Sequence, residues 1–208
     1  QEASRKLGFS VSRTMSAAQK LYEQGHITYM RTDSVSLSNQ AIKAIKETVN
    51  KKFGEKYFSQ RNFKDKTKNA QQAHEAVRPT DFSKDNLLLD ADQTNLYKLI
   101  WRRTVSSQMS NAILDKTVIK IKSSNHNDWF QTDGEVVKFD GFLKLYIEGK
   151  DNNGDNENNE ELLPDLKVGD KLDCKNILVT QSFSKAPYRF SEATLVKKLE
   201  ELGIGRPS

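Results

Sequence analysis

Tyr29 and Arg31 stand two residues apart in the run Ile27-Thr28-Tyr29-Met30-Arg31-Thr32-Asp33-Ser34. Alternate side chains of an extended segment point the same way, so the phenol and the guanidinium can face one phosphate. A phenol with its ordinary pKa near 10 is phenolate in only about one part in a thousand at neutral pH. Nucleophilic use therefore needs a neighbouring cation or base. Arg31 could be that cation, and could also bind charge building on the non-bridging oxygens of a phosphate under attack. On residue types alone, the plainer reading is a part-buried tyrosine beside a surface arginine.

Two further groups could touch a phosphate. In Gln71-Gln72-Ala73-His74-Glu75-Ala76-Val77-Arg78-Pro79-Thr80, a helix would put His74 and Arg78 on one face at i and i+4, ended by Pro79. Zinc-protease chemistry fails there, because Arg78 stands where the second histidine would have to be. A solvated His-Glu pair is the structural alternative. Near the other end, Gly203-Ile204-Gly205-Arg206-Pro207-Ser208 lets the backbone approach a ligand and offers Arg206 as a phosphate contact. A helix-capping glycine followed by a loop explains that run equally well. Two acidic stretches do not qualify as metal sites. Asp90-Ala91-Asp92 precedes a helix, with Asp92 read as its N-cap, and Asp151–Glu161 lacks the glycine and glutamate positions of a calcium loop. No metal ligands are assigned to this chain.

The elements that must position these residues follow from periodicity and punctuation. A helix is expected over residues 11–24, capped by Ser12 and closed by Gly25, then the β-prone run Ile27–Met30. A second helix runs from near Ser38 to near Gly54 with Ala41, Ile42, Ile45 and Val49 on one face. Residues 55–72 read as polar and irregular. A strong helix runs from Asp92 to about Met109. Beyond it the pattern turns to strands at 117–122, 135–139, 142–147 and about Ile177–Phe183, with Asp133-Gly134 and Asp140-Gly141 as turns. A last helix, capped by Ser191, spans Glu192–Leu202 and stops at Gly203. The expected class is α+β multidomain: a helical tyrosine-bearing domain (1–112), a β-rich segment (113–185) containing an acidic disordered loop (149–161), and the start of a further helical domain (186–208).

The 208 residues carry 33 Lys and Arg against 28 Asp and Glu, a net charge of +5. Seven acids and one base fall between residues 148 and 165, so that stretch holds −6 and the rest +11. Such an excess suits an anionic partner. One cysteine, Cys174, excludes an internal disulfide and a cysteine-rich metal site, and is compatible with a reducing cytosol. No apolar run reaches the roughly 20 residues of a membrane span. The chain opens on Gln1 rather than Met and stops after Gly-Arg-Pro-Ser, so it reads as the central piece of something larger.

Four blocks together resemble the type IA DNA topoisomerases, specifically their bacterial topoisomerase I branch. They are Ala18–Glu23 leading into Gly25-x-Ile27-Thr28-Tyr29-Met30-Arg31-Thr32-Asp33-Ser34; Ala73-His74-Glu75-Ala76-Val77-Arg78-Pro79; Leu96-Tyr97-x-Leu99-Ile100-Trp101-Arg102; and Arg189-Phe190-Ser191-Glu192-Ala193 with Gly203–Ser208. The resemblance covers the whole chain except the acidic loop. It implies that Tyr29 is the nucleophile and Arg31 its phosphate-facing partner. It sets His74 and Arg78 near the active site and DNA backbone, and makes Arg206 a DNA contact. The helical part would be the gate that swings open, the β part the arch that carries it, and residues from about 186 the opening of the fourth domain.

The same resemblance implies an ATP-independent enzyme that cuts one strand through a 5′-phosphotyrosine link, passes a strand and reseals, relaxing negative supercoils. Mg²⁺ would be bound by a Toprim domain outside this chain, so the chain alone is expected to be inactive and to hold no cofactor itself. The expected partners are single-stranded segments of negatively supercoiled DNA and the Toprim and C-terminal domains of the same protein. The expected setting is cytoplasmic and nucleoid-associated, without a membrane, as a monomer. Rival readings are a non-catalytic nucleic-acid-binding domain with Tyr29 stacking on a base, a topoisomerase III-like decatenase or reverse gyrase relative, and a tyrosine recombinase. The last links to a 3′ phosphate, and its tyrosine follows its arginines and histidine, whereas Tyr29 precedes His74 and Arg78.

Overall fold

The structure is a computed structural model, and it describes residues 1–32, 34–63, 75–147, 166–181, 183–184, 186 and 189–204. The expected acidic loop, His74 and Arg206 lie outside these. Four helices make the first body: α1 (Glu2–Leu7), α2 (Val11–Glu23), α3 (Asn39–Lys52) and α4 (Ala91–Ser107). Each long one presents a single apolar stripe. Leu21 from α2, Ile45 and Val49 from α3, and Tyr97 and Val105 from α4 meet in one core and are at most 1% exposed. Among the described residues no helix is long and apolar enough to cross a membrane.

The helix starts refine the sequence reading. α2 is capped by Ser10, whose hydroxyl accepts from the Arg13 amide at 3.2 Å, and not by Ser12. Phe9 is buried in the core, which fixes where the chain turns into the helix. α3 begins after Ser38 as expected. α4 is capped by Asp90, whose carboxylate takes the Gln93 amide at 2.8 Å. Asp92 is already inside the first turn. Its carboxylate, freed from capping, takes Arg13 of α2 in a two-pronged pair at 2.6 and 2.7 Å. Two acids at a helix N-terminus both favour the helix dipole, so composition alone does not choose the cap between them.

Beyond α4, β1 (Ile113–Lys122) and β2 (Trp129–Phe139) form a two-stranded antiparallel ladder. The turn expected at Asp133-Gly134 is not there: Gly134 sits mid-strand opposite Thr117. The reversal falls instead in the polar run after Ser123, where the Ser123 amide reaches the Asp128 carbonyl at 3.1 Å. The third expected strand, 142–147, is also absent. Gly141–Lys144 is a 3₁₀ turn entered through Gly141 at φ +49°, and Tyr146 is buried rather than laid along a sheet edge. Burial of Phe142, Leu145 and Tyr146 against the helical body overrides the β-prone run. No strand forms among the described residues of 177–183, where Leu178 and Val179 are 84% and 91% exposed. A strand needs a partner, and none of the described residues supplies one. α5 (Glu192–Glu201) closes the described chain with a capping box between Ser191 and Thr194. Apart from the missing strands, the helix-then-ladder order matches the expected α+β class.

Candidate functional site

The Ile27–Met30 run forms one isolated bridge, Ile27 to Pro79, not a strand of a sheet. Its first half is nonetheless tied to residues 76–80. Thr28 donates its amide to the Arg78 carbonyl at 2.9 Å, and the Arg78 amide donates back to the Thr28 hydroxyl at 2.9 Å. That hydroxyl in turn reaches the Ala76 carbonyl at 2.9 Å. The Thr80 amide donates to the His26 carbonyl, and the Thr80 hydroxyl to the Gly25 carbonyl at 2.7 Å. Ile27 and Met30 point inward, into the core. Tyr29 and Arg31 flank the buried Met30 and both face solvent. Tyr29 is 46% exposed, with its ring edge-on to Tyr22 at 5.1 Å between centroids. The two side chains singled out by spacing are thus both exposed, one before and one after the buried Met30.

The far side of the loop is tied to the same segment. The Ala76 amide donates to the Ser36 carbonyl at 2.9 Å. Glu75 accepts the Ser38 amide on one carboxylate oxygen at 2.8 Å, and Arg78 on the other at 2.6 and 3.1 Å. Arg78 also donates to the Pro79 carbonyl at 3.0 Å, and its side chain is only 16% exposed. Burial pushes the Glu75 carboxyl up, but the hydrogen bonds from Ser38 and Arg78 outweigh it and leave it below the ordinary glutamate value. Ser34 is buried, and its hydroxyl meets that of Ser36 at 2.7 Å. Thr28 on one side of the loop, and Ser36 and Ser38 on the other, are therefore each tied to residues 75–80.

This corrects one sequence expectation. Residues 75–78 are not helical, so a helical i, i+4 pairing of His74 with Arg78 does not hold at its described end. The unmade helix has a physical reason: amides 76 and 78, which a helix would turn inward, are donated across to Ser36 and Thr28. His74 and Arg206 lie outside the described residues, as does Asp33. Tyr29 and Arg31 are exposed, whereas Arg78 is largely buried and tied through its backbone to Thr28, the neighbour of Tyr29. The residues that sequence reasoning undervalued are Thr28 and Glu75. A Glu three residues before an Arg was the available signal for the second; nothing local marks a threonine as a two-strand tie.

Among the described residues no group of three or more His, Cys, Asp or Glu could hold a metal ion. The acids nearest to such a role, Asp90 and Asp92, are occupied by Gln93 and Arg13. What the site presents by itself is an exposed phenol and an exposed guanidinium two residues apart, next to a segment tied to residues 76–80.

Comparison with known proteins places the whole chain in one family. The sequence model of a DNA topoisomerase family matches residues 1–208. The chain is 49% identical to DNA topoisomerase 1 of Rickettsia conorii over 222 residues, covering all of this chain and 28% of that protein. It is 46% identical to DNA topoisomerase 1 of Zymomonas mobilis over 213 residues, 18% of that protein. The solved full-length topoisomerase I of Thermotoga maritima superposes with a TM-score of 0.71 at 30% identity, covering 99% of this chain and 34% of that one. The chain thus spans between 18% and 34% of the length of these relatives.

Proposed function

The chain belongs to the bacterial type IA DNA topoisomerases, and from that membership we propose that it supplies the nucleophile half of a site that cuts one DNA strand. Tyr29 attacks a backbone phosphorus, the bond to the 3′ oxygen breaks, and the 3′ hydroxyl leaves as the phenol gives up its proton. The products are a 5′-phosphotyrosine and a free 3′ end. The new ester is close in free energy to the bond it replaces, so the reverse attack reseals the strand without ATP. Strand passage through the gap then relaxes negative supercoils.

The observation that carries this reading is the exposure of Tyr29 and Arg31 on either side of buried Met30, on a loop tied on both sides to residues 75–80. Arg31 holds the phosphate and the charge that builds on it. Arg78 acts mainly by bracing the loop, with His74 and Arg206 as backbone contacts. Mg²⁺ and the acid for the leaving oxygen are assigned, from the family membership, to a Toprim domain outside this chain, and no step here is routed through them.

The test is made in the full-length enzyme. Tyr29→Phe should abolish cleavage and relaxation while DNA binding stays within a few-fold, because the ring is kept and only the hydroxyl is lost. Arg31→Ala should slow cleavage on the order of a hundredfold, the cost of one lost oxyanion donor. Arg31→Lys should recover only part, since a point charge does not replace the planar fork. A Tyr29→Phe enzyme that still relaxes plasmid would rule out the assignment. A second reading has its own support: Tyr22 and Tyr29, 40% and 46% exposed and in edge contact, offer a stacking surface for a base. Under that reading Tyr29→Phe leaves every activity intact.

A further inference from the structure

On the flank of the helical body, α1, α4 and the Gly141–Lys144 turn enclose a cleft of about 450 Å³. Four cations line it, Lys6, Lys98, Arg102 and Lys144, and among the described residues no Asp or Glu does. Two of them have neighbours that use part of their charge. Lys144 sits 3.4 Å from Asp140 and 3.3 Å from the Tyr57 hydroxyl, and Lys6 donates to the Ile147 carbonyl. The other two do not: among the described residues neither Lys98 nor Arg102 forms an ion pair. The acid that Lys98 feels, Asp85, is already engaged by Lys52. The floor is apolar, with Leu99 and the ring of buried Tyr146. Packing four like charges around one concavity is unfavourable unless an anion joins them.

Comparison with the other sizeable cleft makes the point. It measures about 310 Å³ at the start of α4 and also holds two cations, Arg13 and Lys20. There Asp92 and Asp90 lie at 2.6 and 3.8 Å and cancel them. Of these two clefts, the first keeps two cations, Lys98 and Arg102, without an ion-pair partner among the described residues.

We propose that this cleft is a second phosphate-binding site, which takes the backbone of a DNA strand separate from the one presented to Tyr29. That the anion is DNA rests on the function proposed above; the anion site itself rests on the lining. Lys98 and Arg102 are one turn apart on α4, with their Cβ atoms roughly 5–6 Å from one another, so they can reach one phosphate or two successive ones. Tyr97, whose ring meets that of His26 beside the tyrosine loop, looks the other way. Lys98 and Arg102 project roughly 100–140° round the helix from it. The volume lies within the range of small-ligand pockets and is enough for a phosphate with its sugar. The apolar floor suits the sugar.

The experiment uses the 208-residue chain and a fluorescein-labelled oligothymidylate, read by anisotropy across a salt series. Lys98→Ala/Arg102→Ala should weaken binding tenfold or more. It should also flatten the plot of log affinity against log salt by about 1.4, two contacts at roughly 0.7 each on a single strand. The control is Lys43→Ala/Lys51→Ala, which removes the same charge from exposed positions of α3 and should change affinity less than about threefold. Lys98→Gln/Arg102→Gln, with matched thermal melting, guards against misfolding and should weaken binding equally. Unchanged affinity in the cleft variants, equal losses in cleft and control variants, or no binding by the wild type would each overturn the site. Inorganic pyrophosphate is the competing probe. If the cleft variants lose pyrophosphate binding but keep the oligonucleotide, the ligand is a free polyphosphate and the DNA-strand assignment is overturned. None of these outcomes touches Tyr29: failure here leaves the nucleophile standing, and an enzyme that cuts without Tyr29 would leave the cleft result standing.

Discussion

Glu75 ties two stretches of chain that would otherwise move separately, the start of α3 through Ser38 and the segment under Tyr29 through Arg78. Its carboxyl lies below the ordinary value of 4.5, so the stability it contributes is fully present above about pH 4.5 and is lost as pH falls through the lowered value. Glu75→Gln keeps an acceptor for Ser38 but loses the charge that holds Arg78. The variant should be less stable than the wild type at pH 7, and the gap between their melting temperatures should close toward pH 3. A gap independent of pH would mean the carboxylate charge does not matter. In the full-length enzyme the same substitution should lower the cleavage rate more than it lowers DNA affinity. Tyr29 would still be present, but on a looser backbone.

At the scale of elements, two positions separate what is local from what is not. Ser10→Ala should destabilise α2 by about 1 kcal/mol, the usual cost of a lost N-cap. Ser12→Ala should change stability by a few tenths at most, since Ser12 is inside the helix and alanine is the better helix former. Equal effects in thermal or urea melts would contradict the cap assignment. Gly141 is the sharper case. Its φ of +49° disfavours any side chain, and an added Cβ would lie 2.5 Å from the backbone of Ser110 and Asn111. Gly141→Ala should therefore cost at least about 1 kcal/mol from the left-handed backbone alone, and more from the contact. Melting unchanged from wild type would show that the turn can be rebuilt without the glycine.

For the whole molecule, charge and incompleteness act in opposite directions. The excess of cations outside the acidic segment favours contacts with a DNA backbone, and those contacts release counterions. The chain by itself should bind single-stranded DNA weakly, with affinity that falls as salt rises. Yet it spans 28% of its Rickettsia relative, and the described residues assemble no metal site. Incubated with labelled oligonucleotides and Mg²⁺, it should form no covalent adduct on denaturing gels. An adduct from this chain alone would mean that the essential groups have been misplaced, and one on a 3′ phosphate would overturn the proposed chemistry altogether.

What the sequence determined by itself is what short-range physics decides. α2, α3, α4 and α5 were legible because a helix closes its hydrogen bonds within four residues and shows its buried face in the same span. Tyr29 and Arg31 were picked out from an equally short span, and both are exposed in the fold. Tertiary structure decided the rest. The 142–147 and 177–183 runs have strand-like residues, but a strand exists only where another segment accepts its hydrogen bonds. One run was instead buried against α1 and α4, and the other found no partner among the described residues. Residues 75–78, where a helix would have paired His74 with Arg78, are not helical, because Thr28 and Ser36, some forty to fifty positions earlier, took their amides. Partners that far apart in the chain leave no periodicity to read, so only the folded chain could reveal Thr28 and Glu75 as the clasp that holds the tyrosine loop in place.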